Sequence, residues 1–152
     1  MKTEEIKDLE LMRLSESLED YLEAIYNEVK LKGEAKVTDI SNILNVKKAS
    51  VTGALISLKN KKLINYEPYS SITLTKLGEK LAAEIIERHI VMCEFLENIL
   101  NLSKEEAVEN SCKMEHIMSE KMFERMTKFS VFIQDLCTKE PEIKKQIQNL
   151  YK

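Results

Sequence analysis

The stretch Val37-Thr-Asp-Ile-Ser-Asn-Ile-Leu44, Asn45-Val-Lys-Lys48 and Ala49-Ser-Val-Thr-Gly-Ala-Leu-Ile-Ser-Leu-Lys59 decides the fold. Its first part opens at Val37-Thr-Asp and carries Ile40, Ile43 and Leu44 at the spacing of a short amphipathic helix. Its last part sets Val51, Leu55 and Leu58 on one side of a second helix. Two short helices joined by a tight turn form a helix-turn-helix. Glycine is common in that turn; here Asn45 takes its place. Next come Leu63-Ile-Asn-Tyr66, the loop Glu67-Pro-Tyr-Ser-Ser71 and Ile72-Thr-Leu-Thr75. Two short alternating runs around a polar, Pro-containing loop read as a β-hairpin, and a helix-turn-helix followed by a hairpin is a winged helix.

Upstream, Ser17-Leu-Glu-Asp20 reads as a variant capping box opening a helix over Leu18–Lys30. Leu18, Tyr21, Leu22, Ile25 and Val29 form its buried stripe, with Asp20 and Glu23 three residues apart on an adjacent strip. A first-turn acid is favoured by the helix dipole, so Asp20 reads as a capping residue as readily as a functional one. Residues 1–14 are charged and amphipathic, with Ile6, Leu9, Leu11, Met12 and Leu14 as the apolar members of a frayed or partner-stabilised helix.

Downstream, a long helix runs from Lys76 to about Leu100. Leu77, Leu81, Ile85, Ile86, Val91, Phe95 and Ile99 supply more apolar surface than a small winged helix covers. The helix therefore reads as a dimerisation element or as packing for the first domain. His89 lies in its middle. Ser103 and Glu106 make a capping box for a further helix. Ser119 to Phe132 reads as another, with Met122, Met126, Phe129 and Phe132 as a core stripe. Glu140-Pro141 breaks the pattern before a short terminal helix or tail from Glu142 to Lys152. The expectation is a mainly α protein: a DNA-binding winged helix-turn-helix over 1–75, then an all-helical metal-binding and dimerisation domain over 76–152.

Composition agrees. In 152 residues, 3 Gly and 2 Pro against 7 Met and many Leu, Ile, Glu and Lys point to helices. Three widely spaced cysteines with no secretory signal before them are the profile of reduced thiols in a cytoplasm. No apolar run approaches a membrane span, so no membrane partner is expected. The net charge of −3 hides an asymmetry: from Lys36 to Lys76 seven lysines face only Asp39 and Glu67, a local balance of +5. A basic patch inside an acidic chain suits a polyanion. On the second helix of the motif, Lys47 and Lys48 suit phosphates, while Ser50, Thr52 and Gly53 allow close approach to base edges. A merely solvated face is the alternative. Tyr69, Ser70 and Ser71 at the wing tip suit a phosphate or simply the chemistry of the turn.

The second chemical signal is Cys112-Lys-Met-Glu-His116. On a helix, a thiol, a carboxylate and an imidazole at i, i+3 and i+4 share one side. Sulfur, oxygen and nitrogen donors together suit a divalent first-row transition metal and suit magnesium or calcium badly. A half-buried Cys beside a solvated Glu-His pair is an equally good reading of these five residues alone. Cys137 has no ligand type beside it and reads as structural.

With Glu19-Asp-Tyr-Leu-Glu-Ala-Ile-Tyr26, the winged helix, Glu87-Arg-His89 and Cys112-Lys-Met-Glu-His-Ile-Met-Ser119 in this order, the chain resembles the diphtheria toxin repressor and manganese transport regulator family from about Ser17 to Phe132. These are metal-activated bacterial repressors. The short length, without room for a C-terminal SH3-like domain, looks like the manganese branch. The resemblance implies Asp20, Cys112, Glu115 and His116 as primary metal ligands, and Glu23 and His89 as further ligands of the manganese branch. Asp20 is the manganese-branch residue where the iron branch has Met; Cys112 is the iron-branch residue where the manganese branch has Glu. Cys93 stands where a carboxylate would help a second metal, and Val108 where the iron branch has a His.

The implied function is repression of metal-uptake genes, activated by Fe²⁺ or Mn²⁺ with Co²⁺ or Zn²⁺ as substitutes in vitro. The implied partners are double-stranded operator DNA and a second copy of the chain, with no small organic ligand. The metal is expected between the DNA-binding and dimerisation halves. A metal-independent winged-helix sensor of thiol oxidation, through Cys93 or Cys112, is the alternative, but no resolving Cys is adjacent. A mononuclear metal hydrolase would leave the helix-turn-helix unexplained and lacks a nucleophile motif or Gly-rich loop, so no enzymatic activity is expected.

Overall fold

The computed structural model describes residues 14–152, so the helix read into residues 1–14 lies, except for Leu14, outside the described residues. The described order is α1 (Glu16–Lys32), α2 (Val37–Leu44), α3 (Lys48–Asn60), β1 (Ile64–Asn65), β2 (Thr73–Leu74), α4 (Lys76–Asn98), α5 (Lys104–Met114), α6 (Glu120–Lys139) and α7 (Pro141–Asn149). The chain forms two compact units, one ending at Ile86 and the other comprising Glu87–Lys152. No helix among the described residues is long and apolar enough to cross a membrane.

The first unit is a winged helix. Ser15, not Ser17, caps α1: its backbone is extended and its side chain accepts from the Leu18 amide. Glu16 and Glu19 are then the acids of the first turn, and Asp20 lies beyond it, which removes the capping account of that residue. Gly33 closes α1 at φ 84°, a left-handed conformation, donating its N–H to the Val29 carbonyl. Asn45 is left-handed too (φ 51°, ψ 47°), and with the Ser41 hydroxyl on the Val46 carbonyl at 2.6 Å it turns α2 into α3. Leu22, Ile25, Ile40, Val51, Leu55 and Leu58 bury completely in the core between these helices. Of the apolar residues of α2, Ile40 is buried, Val37 and Leu44 pack partly buried against the core, and Ile43, expected inward, is exposed. The strands are shorter than expected, two residues each, with Ile64 opposite Leu74 and Asn65 opposite Thr73. Ala35 adds an unforeseen bridge to Ile72, exchanging both backbone hydrogen bonds.

Thr75 locks the hairpin to the next helix. Its hydroxyl donates to the Lys62 carbonyl at 2.7 Å and accepts from the Gly78 amide at 3.0 Å. Gly78 sits so close that a Cβ there would overlap the Leu63 carbonyl oxygen. Leu81, Ala82 and Ile85 of α4 complete this first core.

In the second unit, Met92 and Leu96 of α4 bury with Ala107 of α5 and Met118. The capping box of Ser103 and Glu106 starts α5 as expected. Ser119 caps α6, which continues past Phe132 to Lys139. Its expected core stripe is mostly outside: Met122, Phe129 and Phe132 are exposed, and Met126 is partly buried. The terminal segment is helical as α7.

Gly78→Ala should lower unfolding free energy by about 1–3 kcal/mol, the usual cost of overpacking. Gly53→Ala, with open space around its Cα, should raise it by up to about 1 kcal/mol because Ala is the better helix former. Urea unfolding of both checks this; equal effects would contradict the close approach at Leu63.

Candidate metal centre and nucleic-acid interface

Four of the ligand candidates lie in the second unit, each placed by local structure. His89 is presented from α4, Cys112 from the last turn of α5, and Glu115 and His116 from the turn just past it. The helix ends at Met114, so the three donors do not share one helix as the spacing suggested. Glu115 nevertheless keeps right-handed helical backbone (φ −60°, ψ −35°), which holds it near the direction a helix would give. Glu115 is 5% exposed at its side chain, His116 6% and His89 21%.

The side chains converge on His89. Its Nδ1 is 2.7 Å from Glu115 Oε2 and 3.9 Å from Cys112 Sγ, while His116 Nε2 is 3.6 Å from Glu115 Oε1. Among the described residues, no group of three or more His, Cys, Asp or Glu side chains is already gathered to hold a metal ion; these donors contact one another. Imidazole, carboxylate and thiol within a few ångströms of each other fit a divalent first-row metal and not magnesium or calcium. The nearest lysine turns away: Lys113 donates to Glu109 at 2.7 Å, and that hydrogen bond holds the Glu109 carboxyl below its ordinary pKa. Arg88, beside His89, pairs with Glu120. Cys93, half-buried, lies 3.5 Å from His89 Nε2.

Asp20 and Glu23 stand on α1 in the first unit, Asp20 exposed and Glu23 half-buried, beside the buried Tyr21 and Leu22.

The DNA candidates also lie in the first unit. Lys47 is the N-terminal residue flanking α3, and no side chain caps that helix. Lys47, Lys48, Ser50 and Gly53 are exposed, and Thr52 is half-buried with its hydroxyl donating to the Lys48 carbonyl. Backbone N–H groups at an uncapped helix start, flanked by two lysines, suit phosphate. At the wing tip, Ser70 is taken by the turn: it accepts from the Glu67 amide and donates to the Glu67 carbonyl. Tyr69 is held at φ 65° and stands fully exposed. Ile56 was not singled out from sequence, yet it is 52% exposed on α3. Its signal was its place three residues after Gly53, away from the Val51–Leu55–Leu58 stripe.

Residues 13–72 match the family described as iron dependent repressor, N-terminal DNA binding domain, and residues 75–144 its metal binding and dimerisation domain. The chain belongs to the iron-dependent repressor family. It is 38% identical over 117 residues to an uncharacterised helix-turn-helix transcriptional regulator of Methanocaldococcus jannaschii, covering 76% of this chain and 94% of that one. It is 32% identical to the transcriptional regulator MntR of Oceanobacillus iheyensis, covering 87% and 89%. Among solved structures, the manganese regulator SloR superposes with a TM-score of 0.65 at 28% identity, and T. acidophilum IdeR with 0.64 at 29%. The matches cover 74% and 72% of this chain, and the chain spans about half of each of those proteins, 52% in both cases. The family resemblance and the mainly helical, two-part fold read from the sequence are borne out.

Lys47→Ala should weaken binding to all DNA sequences and lower the salt slope by about 1 per subunit. Ser50 or Thr52 replacements should instead change which base pairs are preferred. Binding to a duplex library at several salt concentrations checks both; uniform losses for every variant would contradict α3 as the reading helix.

Proposed function

We propose that this family member represses transcription when an Fe²⁺ or Mn²⁺ ion is held by Asp20, Glu23, His89, Cys112, Glu115 and His116. The observation that carries the reading is the meeting of His89, Cys112 and Glu115, with His116 on the same carboxylate, in a chain whose other unit is a winged helix. A bound cation supplies the positive charge that lets carboxylates and a thiolate stay close without repulsion. Glu115 presents its two oxygens to two imidazoles. Asp20 and Glu23 add hard oxygen donors from the DNA-binding unit. Ligands drawn from both units narrow the arrangements open to a pair of recognition helices, and selecting one arrangement favours an operator. The family is one of metal-dependent regulators, so the metal-independent thiol sensor and the hydrolase readings give way.

The partners are palindromic double-stranded DNA, met by Lys47, Lys48, Ser50, Thr52, Gly53 and Tyr69, and a second copy of the chain. The exposed Met122, Phe129, Val131 and Phe132 of α6 support the second copy. The expected setting is the cytoplasm, and the expected targets are metal-uptake genes.

Asp20→Ala and His116→Ala should each abolish metal-stimulated DNA binding with circular dichroism unchanged. DNA affinity measured with metal and with chelator tests the reading, and a wild-type metal response in either variant sinks the ligand set.

The metal preference follows from donor softness. A thiolate at Cys112 adds affinity for later first-row metals, whereas Asp20, Glu23 and Glu115 suit Mn²⁺ or Fe²⁺. Fe²⁺ should be the better activator and Mn²⁺ the weaker, and Cys112→Glu should move the balance towards Mn²⁺ while keeping a working switch. The measurement is DNA affinity against free metal concentration, reduced and without oxygen. If wild type answers Mn²⁺ at lower free concentration than Fe²⁺, the carboxylates set selectivity instead.

A further inference from the structure

The wing tip holds an aromatic side chain on a backbone that its residue type disfavours. Glu67-Pro-Tyr-Ser70 is a four-residue turn, closed by the Ser70 amide donating to the Glu67 carbonyl at 3.0 Å. Proline in its second place and a left-handed residue in its third make the type II arrangement, whose third place favours glycine. Tyr69 occupies that place at φ 65°. A side chain there is crowded by its own Cβ. The ring gains no burial in return, because Tyr69 is fully exposed.

The turn keeps it there. Ser70 Oγ accepts from the Glu67 amide at 3.1 Å and donates to the Glu67 carbonyl at 2.7 Å. Pro68 fixes its own φ in advance. Lys59, in the last turn of α3, donates to the Glu67 side chain at 2.6 Å and ties the turn to that helix. An exposed pair of this kind adds little stability. It does match the single acid between Lys59 and Lys76, a charge that would otherwise repel a polyanion. Backbone strain that its surroundings over-determine clusters at ligand clamps.

We propose that Tyr69 is a preorganised DNA contact whose phenol O–H donates to a backbone phosphate flanking the bases that α3 reads, with Ser70 as its positioning residue. The proposal rests on the reading of α3 as the helix that meets DNA. Lys59 lies in the last turn of α3 and the other DNA candidates in its first half, so the tip stands to the side of the bases that the helix start reaches. Tyrosine is among the side chains that donate to phosphate oxygens, and such contacts set register without carrying sequence. A turn already fixed in the free protein loses less freedom on binding.

The test uses the Mn²⁺-saturated full chain and the palindrome it selects from a random duplex library, shortened from both ends one base pair at a time. Wild type should lose affinity by about tenfold at one step, the lower end for a hydrogen bond to a charged group. Tyr69→Phe should bind the long duplex about tenfold more weakly and show no such step. It should keep the wild-type salt slope, since a neutral donor releases no counterion. Lys47→Ala, by contrast, should lower the slope and keep the step. Ser70→Ala should behave like Tyr69→Phe, and Ser70→Thr, which restores the hydroxyl, like wild type. Tyr69→Gly should lose the step yet unfold at no lower urea concentration than wild type, because glycine suits a left-handed backbone. A Tyr69→Phe protein that matches wild type on every duplex overturns the proposal and leaves α3 in place. A Tyr69→Gly protein that unfolds earlier overturns it too, since Tyr69 then serves the fold. A wild-type step in Ser70→Ala overturns the positioning role. Failure of the wild type to select any duplex overturns the reading of α3, and the proposal with it.

Discussion

The 2.7 Å contact between His89 Nδ1 and Glu115 Oε2 ties the middle of α4 to the turn after α5. Around it the second unit places its other donors, with Cys112 on one side and His116 on the second oxygen of the same carboxylate. A carboxylate with a nearly buried side chain is costly unless its oxygens are matched. The His89 imidazole matches one of them at 2.7 Å, and His116 Nε2 lies 3.6 Å from the other. The same contact therefore ties two separate backbone segments of the unit together. Met92 and Leu96 on α4, with Ala107 on α5, bury beneath and hold the two backbones at the distance that lets the side chains meet.

Much of the first unit was legible because its signals are local. The apolar spacing of α3 gave Val51, Leu55 and Leu58, all fully buried. Asn45 stood alone between two helices where a left-handed residue was needed, and it takes that conformation. The start of α1 was misread because Ser15 and Ser17 are both capping residues in type. Only backbone geometry, extended at Ser15, separates them. The Ala35–Ile72 bridge pairs residues 37 apart in the chain, and no periodicity carries that. Gly78 drew no reading from the sequence, because its closeness to the Leu63 carbonyl is a tertiary contact.

The second unit was legible in its chemistry and less so in its faces. Cys112, Glu115 and His116 were visible as a spacing, and the structure keeps them near one another although the helix stops at Met114. The apolar period of α6 was read as a core stripe, but period alone does not say what covers such a stripe. In the single chain, Met122, Phe129 and Phe132 are exposed, and the second copy proposed above would cover them. Cys93 was singled out by its position, but its contact with Ser111 was not visible because the two residues are distant in sequence.

Linkage sets a bound on how such a switch works. If metal raises DNA affinity by some factor, DNA must raise metal affinity by the same factor. A ligand set complete within one unit would bind metal equally in every arrangement and would shift nothing, however tightly it bound. Function as a switch therefore requires that some donors be lost when the arrangement changes. His89, Glu115 and His116 all belong to one unit. Under the ligand set proposed above, a differential affinity would have to come from Asp20 and Glu23, which lie on α1 in the first unit. On that proposal the second-unit donors would set affinity, and the two α1 carboxylates would set the coupling.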